Sequence, residues 1–435
     1  MKKLSLALIL SLSLQAVTIE EAWQELQNSD EGLKASKESI QIVQKKQEAA
    51  KSMYLPSVTL SGSYTHLDEP IKVEDDLKLP LLGELPIRVD LSEQDVFLAG
   101  LDMLWPLYTG GKIDATQSIL KAQVDEQKAK AQIKEDKKFL LLVKYYYGVI
   151  VSESLYKTRL KAQEALQIHY NNAKKLYENA QIAHIEVLHA KVNLDNAKIE
   201  TTKARHKLEI AQSALNSLLG QQIDPTSSLH VKSVEKTEET FKNLMKENSS
   251  VLKIFDDKQR QSDALLRIKK AAWHPLVVGY GHYNLYKDDS ILSESMPRWM
   301  AGVRIQIDIL KRRDRSSEIE SAKITNAKVK SLKAEALQNL LLLVEKTYKE
   351  AQSAYEEYNA LGSSIELAQE NYRVREISFN EGLSTSVELV EAQTMLEGIE
   401  TKRLNAAYEY LQKVAELCVL AGDKEMFFRM IRSNK

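Results

Sequence analysis

Apolar and polar residues along this chain change their spacing in the same order twice. Over residues 18–53, and again over 238–272, apolar residues recur every three or four positions between Gln, Lys and Glu. This spacing predicts an amphipathic helix in each segment. A proline ends each helix, Pro56 in the first half and Pro275 in the second, and a strand-like alternation follows.

The alternating segments place apolar side chains at every second position, which is the pattern of a strand with one apolar face. In the first half these are Val58, Leu60, Gly62 and Tyr64, and then Phe97, Ala99, Leu101, Met103, Trp105 and Leu107. In the second half they are Trp299, Ala301, Val303, Ile305, Ile307 and Ile309. Strands of about ten residues with this pattern suit the wall of a membrane β-barrel, although a half-exposed antiparallel sheet would also show it. A barrel carries an aromatic girdle against the lipid at its strand ends, which is where the sequence has Tyr54, Trp105, Trp273 and Trp299.

The chain is a tandem duplication, because sliding it over itself by about 202 positions matches residues 99–220 to residues 301–422 without a gap. Ahead of this block the offset is about 219, so the first copy has a longer connection between its strands. We expect that connection, residues 68–93, to be an acidic, proline-containing loop.

Each copy continues into a helix much longer than a globular core requires, predicted over residues 112–180 and 313–381. A run of about 70 residues spans roughly 100 Å. After a break, a helix of about 35 residues follows in each copy and ends near Gly220 or Ala421. Four strands are too few to close a barrel, so we expect several copies of the chain to pool their hairpins.

The N-terminus has the pattern of a secretory signal peptide: Lys2 and Lys3, an apolar run over residues 4–14, and a small residue, Ala16, at the cleavage point. A buried helix is the alternative. No cysteine follows the run, so we expect no lipid anchor. The predicted divisions are residues 1–16, signal peptide; 17–222, first repeat; 223–237, linker; 238–422, second repeat; and 423–435, C-terminal tail.

Composition and sequence motifs argue against several other functions. Charged residues make up 28% of the chain but the net charge is −1, which gives no reason to expect a nucleic-acid partner. Cys418 is the single cysteine, so no disulfide forms within the chain. His184 and His189 are five positions apart and do not share a helix face as metal ligands. No catalytic motif is present, and we expect neither an enzyme nor a cofactor or metal.

With the order and spacing of its elements, the chain resembles the TolC family of outer membrane efflux proteins. The stretches YLPSVTLSGSY, LWPLYTGGKIDATQ and FNEGLSTSVELVEAQ are similar to characteristic segments of that family. The resemblance implies a mostly helical, mixed α and β fold and a homotrimer. The trimer would share a twelve-strand barrel in the outer membrane, continuous with a twelve-helix barrel in the periplasm. It also implies two kinds of partner, a periplasmic adaptor protein and an inner membrane efflux pump or secretion ATPase.

The resemblance assigns the two breaks between the long and short helices to the periplasmic tips. Glu388 and Glu391 fall where the family carries the acidic residues of its closed gate, while Phe379 and Glu186 fall in the links that hold the gate shut. Ser384 departs from the family pattern, because some members have a basic residue there, so a salt bridge to Glu186 is not expected. The alternative is that Glu388 and Glu391 are first-turn residues favoured by the helix dipole.

The same tip implies an adaptor-docking surface, made of Gly382, Leu383, Ser384, Val387 and Ile185. A turn that simply requires glycine at Gly382 is compatible with it. The predicted function is a passive exit duct for small molecules or secreted proteins. The alternative is a periplasmic or secreted coiled-coil structural protein without a channel.

Overall fold

The computed structural model of the protein describes residues 15–79, 83–309 and 314–432. These residues form two compact units. The first unit holds the residues up to 38, residues 129–253, and those from 334 onwards; the second holds residues 39–128 and 254–333. The predicted signal peptide lies, except for its last two residues, outside the described part of the chain.

Helices dominate, which confirms the predicted fold class. In chain order the elements are β1 (Gln15–Val17), α1 (Ile19–Ser29), α2 (Glu31–Ala50), β2 (Ser57–His66), β3 (Lys72–Leu79), β4 (Gly83–Asp90), β5 (Asp95–Tyr108), α3 (Lys112–Glu178), α4 (His184–Leu219), β6 (Ile223–Pro225), α5 (Glu238–Asn248), α6 (Ser250–Ala271), β7 (Leu276–Lys287), α7 (Ile291–Ser295), β8 (Trp299–Gln306), α8 (Arg315–Asn380), α9 (Ser386–Leu420) and α10 (Lys424–Ile431).

Each of the two predicted amphipathic helices is split in two by a capping residue. Asp30 separates α1 from α2, and its carboxylate accepts a hydrogen bond of 2.7 Å from the amide of Leu33. Ser249 separates α5 from α6, and its hydroxyl accepts from the amide of Leu252 at 3.4 Å. Short polar side chains such as those of Asp and Ser favour cap positions over helix interiors. The spacing of the apolar residues continues across Asp30 and Ser249, so it does not reveal that a helix ends there. The two breaks occupy equivalent positions of the duplication.

Four strands of the second unit form an antiparallel sheet in the order β2-β5-β7-β8. Its register brings the apolar positions of the strands together in rows, of which one is Val58, Met103, Gly281 and Ala301. The predicted alternation is therefore confirmed. Ile307 and Ile309 lie beyond β8, contrary to the prediction, because the partner strand β7 begins only after Pro275, which has no N–H to donate.

The prediction of a loop over residues 68–93 is wrong for most of its length. Strands β3 and β4 pair there in a separate antiparallel hairpin. The charged residues that suggested a loop include a pair across the hairpin, in which the guanidinium of Arg88 lies 3.1 Å from a carboxylate oxygen of Glu74. Opposite charges on facing strands support pairing, so charge alone is a poor marker of a loop.

The main hydrophobic core lies in the first unit. Phe139 of α3 is at its centre, with the rings of Trp23 and of Phe427 and Phe428 edge-on to it at 5.2 to 5.6 Å. Residues 424–431, in the segment predicted as a tail, thus form a helix that is packed into the core. The predicted linker is also ordered against this unit: β6 pairs in parallel with β1, and the hydroxyl of Tyr146 accepts from the amide of Ser227 at 3.0 Å.

Within the described residues, no helix has the length and apolar character required to cross a membrane.

Candidate functional site

The two breaks predicted as tips are the same turn, built twice. Ala180 in the first copy and Gly382 in the second both have positive φ, 57° and 74°. The amide of Gln181 then bonds the carbonyl of Leu176 at 2.9 Å, and the amide of Leu383 bonds the carbonyl of Ser378 at 2.8 Å. These bonds close a left-handed helix C-cap, which glycine favours and alanine adopts only at a steric cost.

An apolar cluster next to these turns joins the two copies. We call it the tip cluster, and its buried members are Ala173, Val187, Ala190, Phe379 and Leu389. Phe379 is 2% exposed, and the ring of His169 stands edge-on to it with the ring centroids 4.3 Å apart. The structure thus brings the predicted gate residue Phe379 into a small core shared by α3, α4, α8 and α9.

Polar contacts around Ser386 connect the same helices. Its amide donates to a carboxylate oxygen of Glu186 at 3.1 Å, so Glu186 of α4 caps the N-terminus of α9. Its hydroxyl lies 3.0 Å from Nε2 of His169 on α3. Ser386, which is fully buried, is therefore the meeting point of the two copies.

Glu388 is engaged with the start of its own helix. Thr385 is the N-cap of α9, and the two residues form a capping box in which a Glu388 carboxylate oxygen accepts from the Thr385 amide at 3.1 Å. The Ser384 hydroxyl donates to the same oxygen at 2.5 Å, and Arg375 lies 3.5 Å from the other. The bond from Ser384, that from the Thr385 amide and the charge of Arg375 lower the pKa of Glu388, so this carboxylate is ionised.

Glu391 is exposed one turn further along α9 and is not part of the capping box. Glu388 therefore has features of both predictions. It is a half-exposed anion, as the acidic gate requires, and it is also a first-turn residue stabilised by its own helix. The role of either carboxylate in a gate stays a prediction.

The residues predicted as a docking tip surround the second turn. Leu383 is 77% exposed, and Ile185 and Val387 are also exposed. Gly382 is exposed, and a Cβ built on it would meet no atom within 4 Å, so only its φ favours glycine. Ser384 is half-buried because it bonds Glu388. Three exposed apolar side chains thus stand around a turn at the ends of the helices.

The aromatic residues predicted as a girdle lie at both ends of the four-strand sheet. Tyr54, Trp105 and Trp273 are at the end where β2 and β7 begin, while Trp299, which faces Tyr283, lies toward the other end. The indole N–H of Trp105 donates to the carbonyl of Tyr54 at 3.1 Å. All four rings are exposed, which suits a surface whose outer face meets lipid.

Sequence reasoning missed the inner polar residues, above all His169, Ser386 and the ion pair of Arg159 with Glu397 between α3 and α9. One signal was available for His169: it follows Leu166 and precedes Ala173 at core spacing, so its side chain replaces an apolar one on the buried face of α3. Among the described residues no group of three or more His, Cys, Asp and Glu side chains could hold a metal ion.

The chain has a sheet with one exposed apolar face. Twice in the chain a strand of this sheet is followed by a long helix, a tight turn and a returning helix. This is the architecture of an outer membrane channel with a helical extension into the periplasm. The family model described as "Outer membrane efflux protein" matches residues 22–221 and 244–423, one stretch in each repeat. The chain belongs to this family, the TolC family, and is an outer membrane efflux channel. Channels of this family are trimeric efflux components and not enzymes. The alternative of a structural protein without a channel is therefore wrong.

Solved structures share the fold at low sequence identity. The CusC channel matches with a TM-score of 0.78 and 13% identity over 93% of this chain and 92% of CusC. VceC of Vibrio cholerae gives 0.76 and 13%, over 93% and 96% of the two chains. The CmeC outer membrane channel of Campylobacter jejuni also gives 0.76 and 13%, over 95% and 89%. No curated protein sequence matches this chain.

Proposed function

We propose that three copies of this chain close one β-barrel and one helical tube, giving a passive exit duct for small molecules or secreted proteins. The observation that carries the proposal is the four-strand sheet. Its edge strands, β2 and β8, each have one side that pairs with no other described strand. Exposed edges are not tolerated in lipid, and three sheets joined β2 to β8 give twelve strands, enough to close.

The two faces of the sheet suit a barrel with lipid outside and water inside. One face presents exposed apolar side chains, among them Leu60, Val303 and Ile305. The other face carries a hydrogen-bonded polar row in which Asp102 accepts from Ser61 at 2.7 Å and lies 2.8 Å from Nδ1 of His282. We assign the polar face to the lumen, where it would let polar cargo pass.

The long helices of the first unit lie side by side, and we propose that the two outermost helices contact each other in neighbouring copies. Away from the tip, α3 is hydrogen-bonded to α4 through Thr201 and to α9 through Tyr408. The tilted rings of Tyr355 on α8 and Tyr410 on α9 have their centroids 5.8 Å apart. The side-by-side order is therefore α4, α3, α9, α8. Both edge helices carry exposed apolar residues: on α4 Ile185, Leu188, Val192 and Ile199, and on α8 Leu367, Val374 and Ile377. Contact of α4 in one copy with α8 in the next is heterologous, and a heterologous contact closes a ring of three when each copy is rotated by one third of a turn from its neighbour.

We further propose that Glu388 and Glu391 form acidic rings where the tube narrows, with Phe379 and Glu186 holding the tip closed. Three copies of each carboxylate would attract cations and repel one another. Because Arg375 and the capping box already hold Glu388, we expect Glu391 to contribute more to the field in the duct.

The exposed tip formed by Gly382, Leu383, Ser384, Val387 and Ile185 is the proposed docking surface for a periplasmic adaptor. Through the adaptor, an inner membrane efflux pump or secretion ATPase would supply the energy, since nothing in a duct couples transport to a reaction. We propose that residues 1–16 direct export and that the mature chain carries no lipid.

Single-channel recording in planar bilayers tests the duct and the gate together. We expect wild-type trimers to form small cation-selective pores, and Glu388→Ala combined with Glu391→Ala to lose the selectivity. Glu200→Ala, which removes an exposed carboxylate of α4 away from the turn, is the matched control. Unchanged selectivity in the double variant would refute the acidic gate, and an absence of pores under every gate-opening condition would refute the duct.

A further inference from the structure

His169 is a buried titratable residue at the junction of the two repeats. Its side chain on α3 contacts Phe379 of α8, and its Nε2 lies 3.0 Å from the hydroxyl of Ser386 on α9. The second ring nitrogen, Nδ1, is buried and has no hydrogen-bond partner among the described residues. A buried nitrogen without a partner is costly, and the cost rises steeply if the ring gains a charge.

A small cavity lies beside the ring. Its volume is about 60 Å³, enough for one or two water molecules. Its polar lining, besides His169, consists of Asn172, Tyr372, Glu376, Asn380 and Gln393. Water therefore has a place next to the imidazole.

The groups around the ring come from each helix packed against it. On α4 the charged neighbour is Glu186, and on α8 the titratable neighbours are Tyr372 and Glu376. Helix α9 presents Ser386, Leu389 and Gln393, none of which is charged. Burial raises the pKa of Tyr372 to about 12, so it stays neutral. Glu186, whose carboxylate is already bonded to the Ser386 amide, carries a charge that favours a protonated ring.

We propose that His169 is a proton-sensitive latch of the tip. In its neutral form it joins α3 to α9 through Ser386 and to α8 through Phe379, and protonation favours the separated arrangement in which the ring is hydrated. This inference rests on the proposed function, because the tip it latches is the gate of the proposed duct. His169 is a positioning residue here, since it acts on the helices and does not touch the cargo.

The direction and size of the effect follow from proton linkage. Burial lowers the pKa of His169 to about 4 in the closed tip and outweighs the charge of Glu186, which acts in the opposite direction, whereas a hydrated ring has its ordinary pKa of about 6.5. The latch is therefore fully effective at neutral pH and weakens as the pH falls from 6.5 toward 4. At pH 5 the open-to-closed ratio is about 30-fold higher than at pH 7.5.

Hydrogen exchange of the purified trimer tests the latch without requiring conduction. Exchange of peptides covering residues 165–176 and 380–393, corrected for the intrinsic effect of pH, is compared between pH 7.5 and pH 5. We expect exchange through opening of the tip to accelerate about 30-fold in the wild type and in His189→Gln, which changes an exposed histidine of α4. His169→Gln should show no such acceleration.

His169→Phe repeats the test with an aromatic ring that cannot be protonated, in case His169→Gln does not fold. Either variant accelerating as much as the wild type would overturn the latch. Bilayer recordings then separate this inference from the proposed function: pores whose opening responds equally to pH with and without His169 leave the duct standing and refute the latch. Exchange that depends on His169 in a protein that never conducts supports the latch as a conformational element and refutes the duct.

Discussion

Replacing Phe379 by alanine should open the tip. The side chain is 2% exposed and fills the centre of the tip cluster, in contact with residues from both repeats. Truncation removes the apolar surface that α8 buries against α3, α4 and α9. No other buried side chain of the cluster is as large, so the closed arrangement loses its main buried apolar contact.

The magnitude follows from cavity formation. Truncating a buried phenylalanine costs about 3 to 5 kcal/mol. The lower end applies here, because the cluster is small and a cavity of about 60 Å³ already lies beside His169, so neighbouring side chains can move in. A loss of about 3 kcal/mol from the closed state alone multiplies the open-to-closed ratio by roughly 150.

The assay is the open probability of single channels in planar bilayers. Tyr177→Ala is the matched control, because Tyr177 occupies the equivalent position of the first repeat but is exposed. We expect Phe379→Ala to raise the open probability strongly and Tyr177→Ala to leave it near the wild-type value. Equal open probabilities in the two variants would show that the tip cluster does not hold the gate, and the reasoning would fail.

Three further predictions concern other parts of the first unit. Glu391→Gln should reduce cation selectivity, measured as a reversal potential in a salt gradient, more than Glu388→Gln, because Arg375 and the capping box already hold Glu388. Glu397→Gln, which leaves the half-buried charge of Arg159 without its partner, should lower stability by about 2 kcal/mol, measured as loss of folded trimer on heating. Cys418 should resist thiol reagents at pH 8 until the protein unfolds, because burial raises its pKa to about 12, so roughly a thousandfold less thiolate is present than at an ordinary thiol.

For each of these three predictions, a control or a specific result would contradict the reasoning. Equal effects of Glu388→Gln and Glu391→Gln would contradict the proposed division between a capping carboxylate and a lumenal one. For the ion pair the control is Lys157→Ala, which breaks an exposed contact with Glu153 on the same helix and should cost well under 1 kcal/mol. Rapid labelling of Cys418 in the folded trimer would show that the core around it opens readily.

Much of the fold was predictable because its elements depend on neighbouring residues. The period of the apolar residues located α3, α8 and the strands β2, β5 and β8, with bounds that differ from the structure by only a few residues. Sequence reasoning failed at Asp30 and Ser249, where a single capping side chain ends a helix although the apolar spacing continues. It also failed where a charged segment forms the β3 and β4 hairpin.

The candidate site was also predictable only in part. The two turns were located as breaks between a long and a short predicted helix, and Gly382, a residue suited to positive φ, marks the second of them. The contacts that join the turns were not located, because His169 and Ser386 are 217 positions apart and neither forms a motif with its neighbours.

Local residue chemistry thus determined the helices, the strands, the duplication and the positions of the turns. Tertiary packing decided that Ser386 meets both His169 and Glu186, that Phe379 fills the tip cluster, and that α10 enters the core beside Phe139. The physical reason is that periodicity states which face of a helix is buried but not against which distant helix. That choice depends on the shapes and charges of side chains brought together only when the two copies pack.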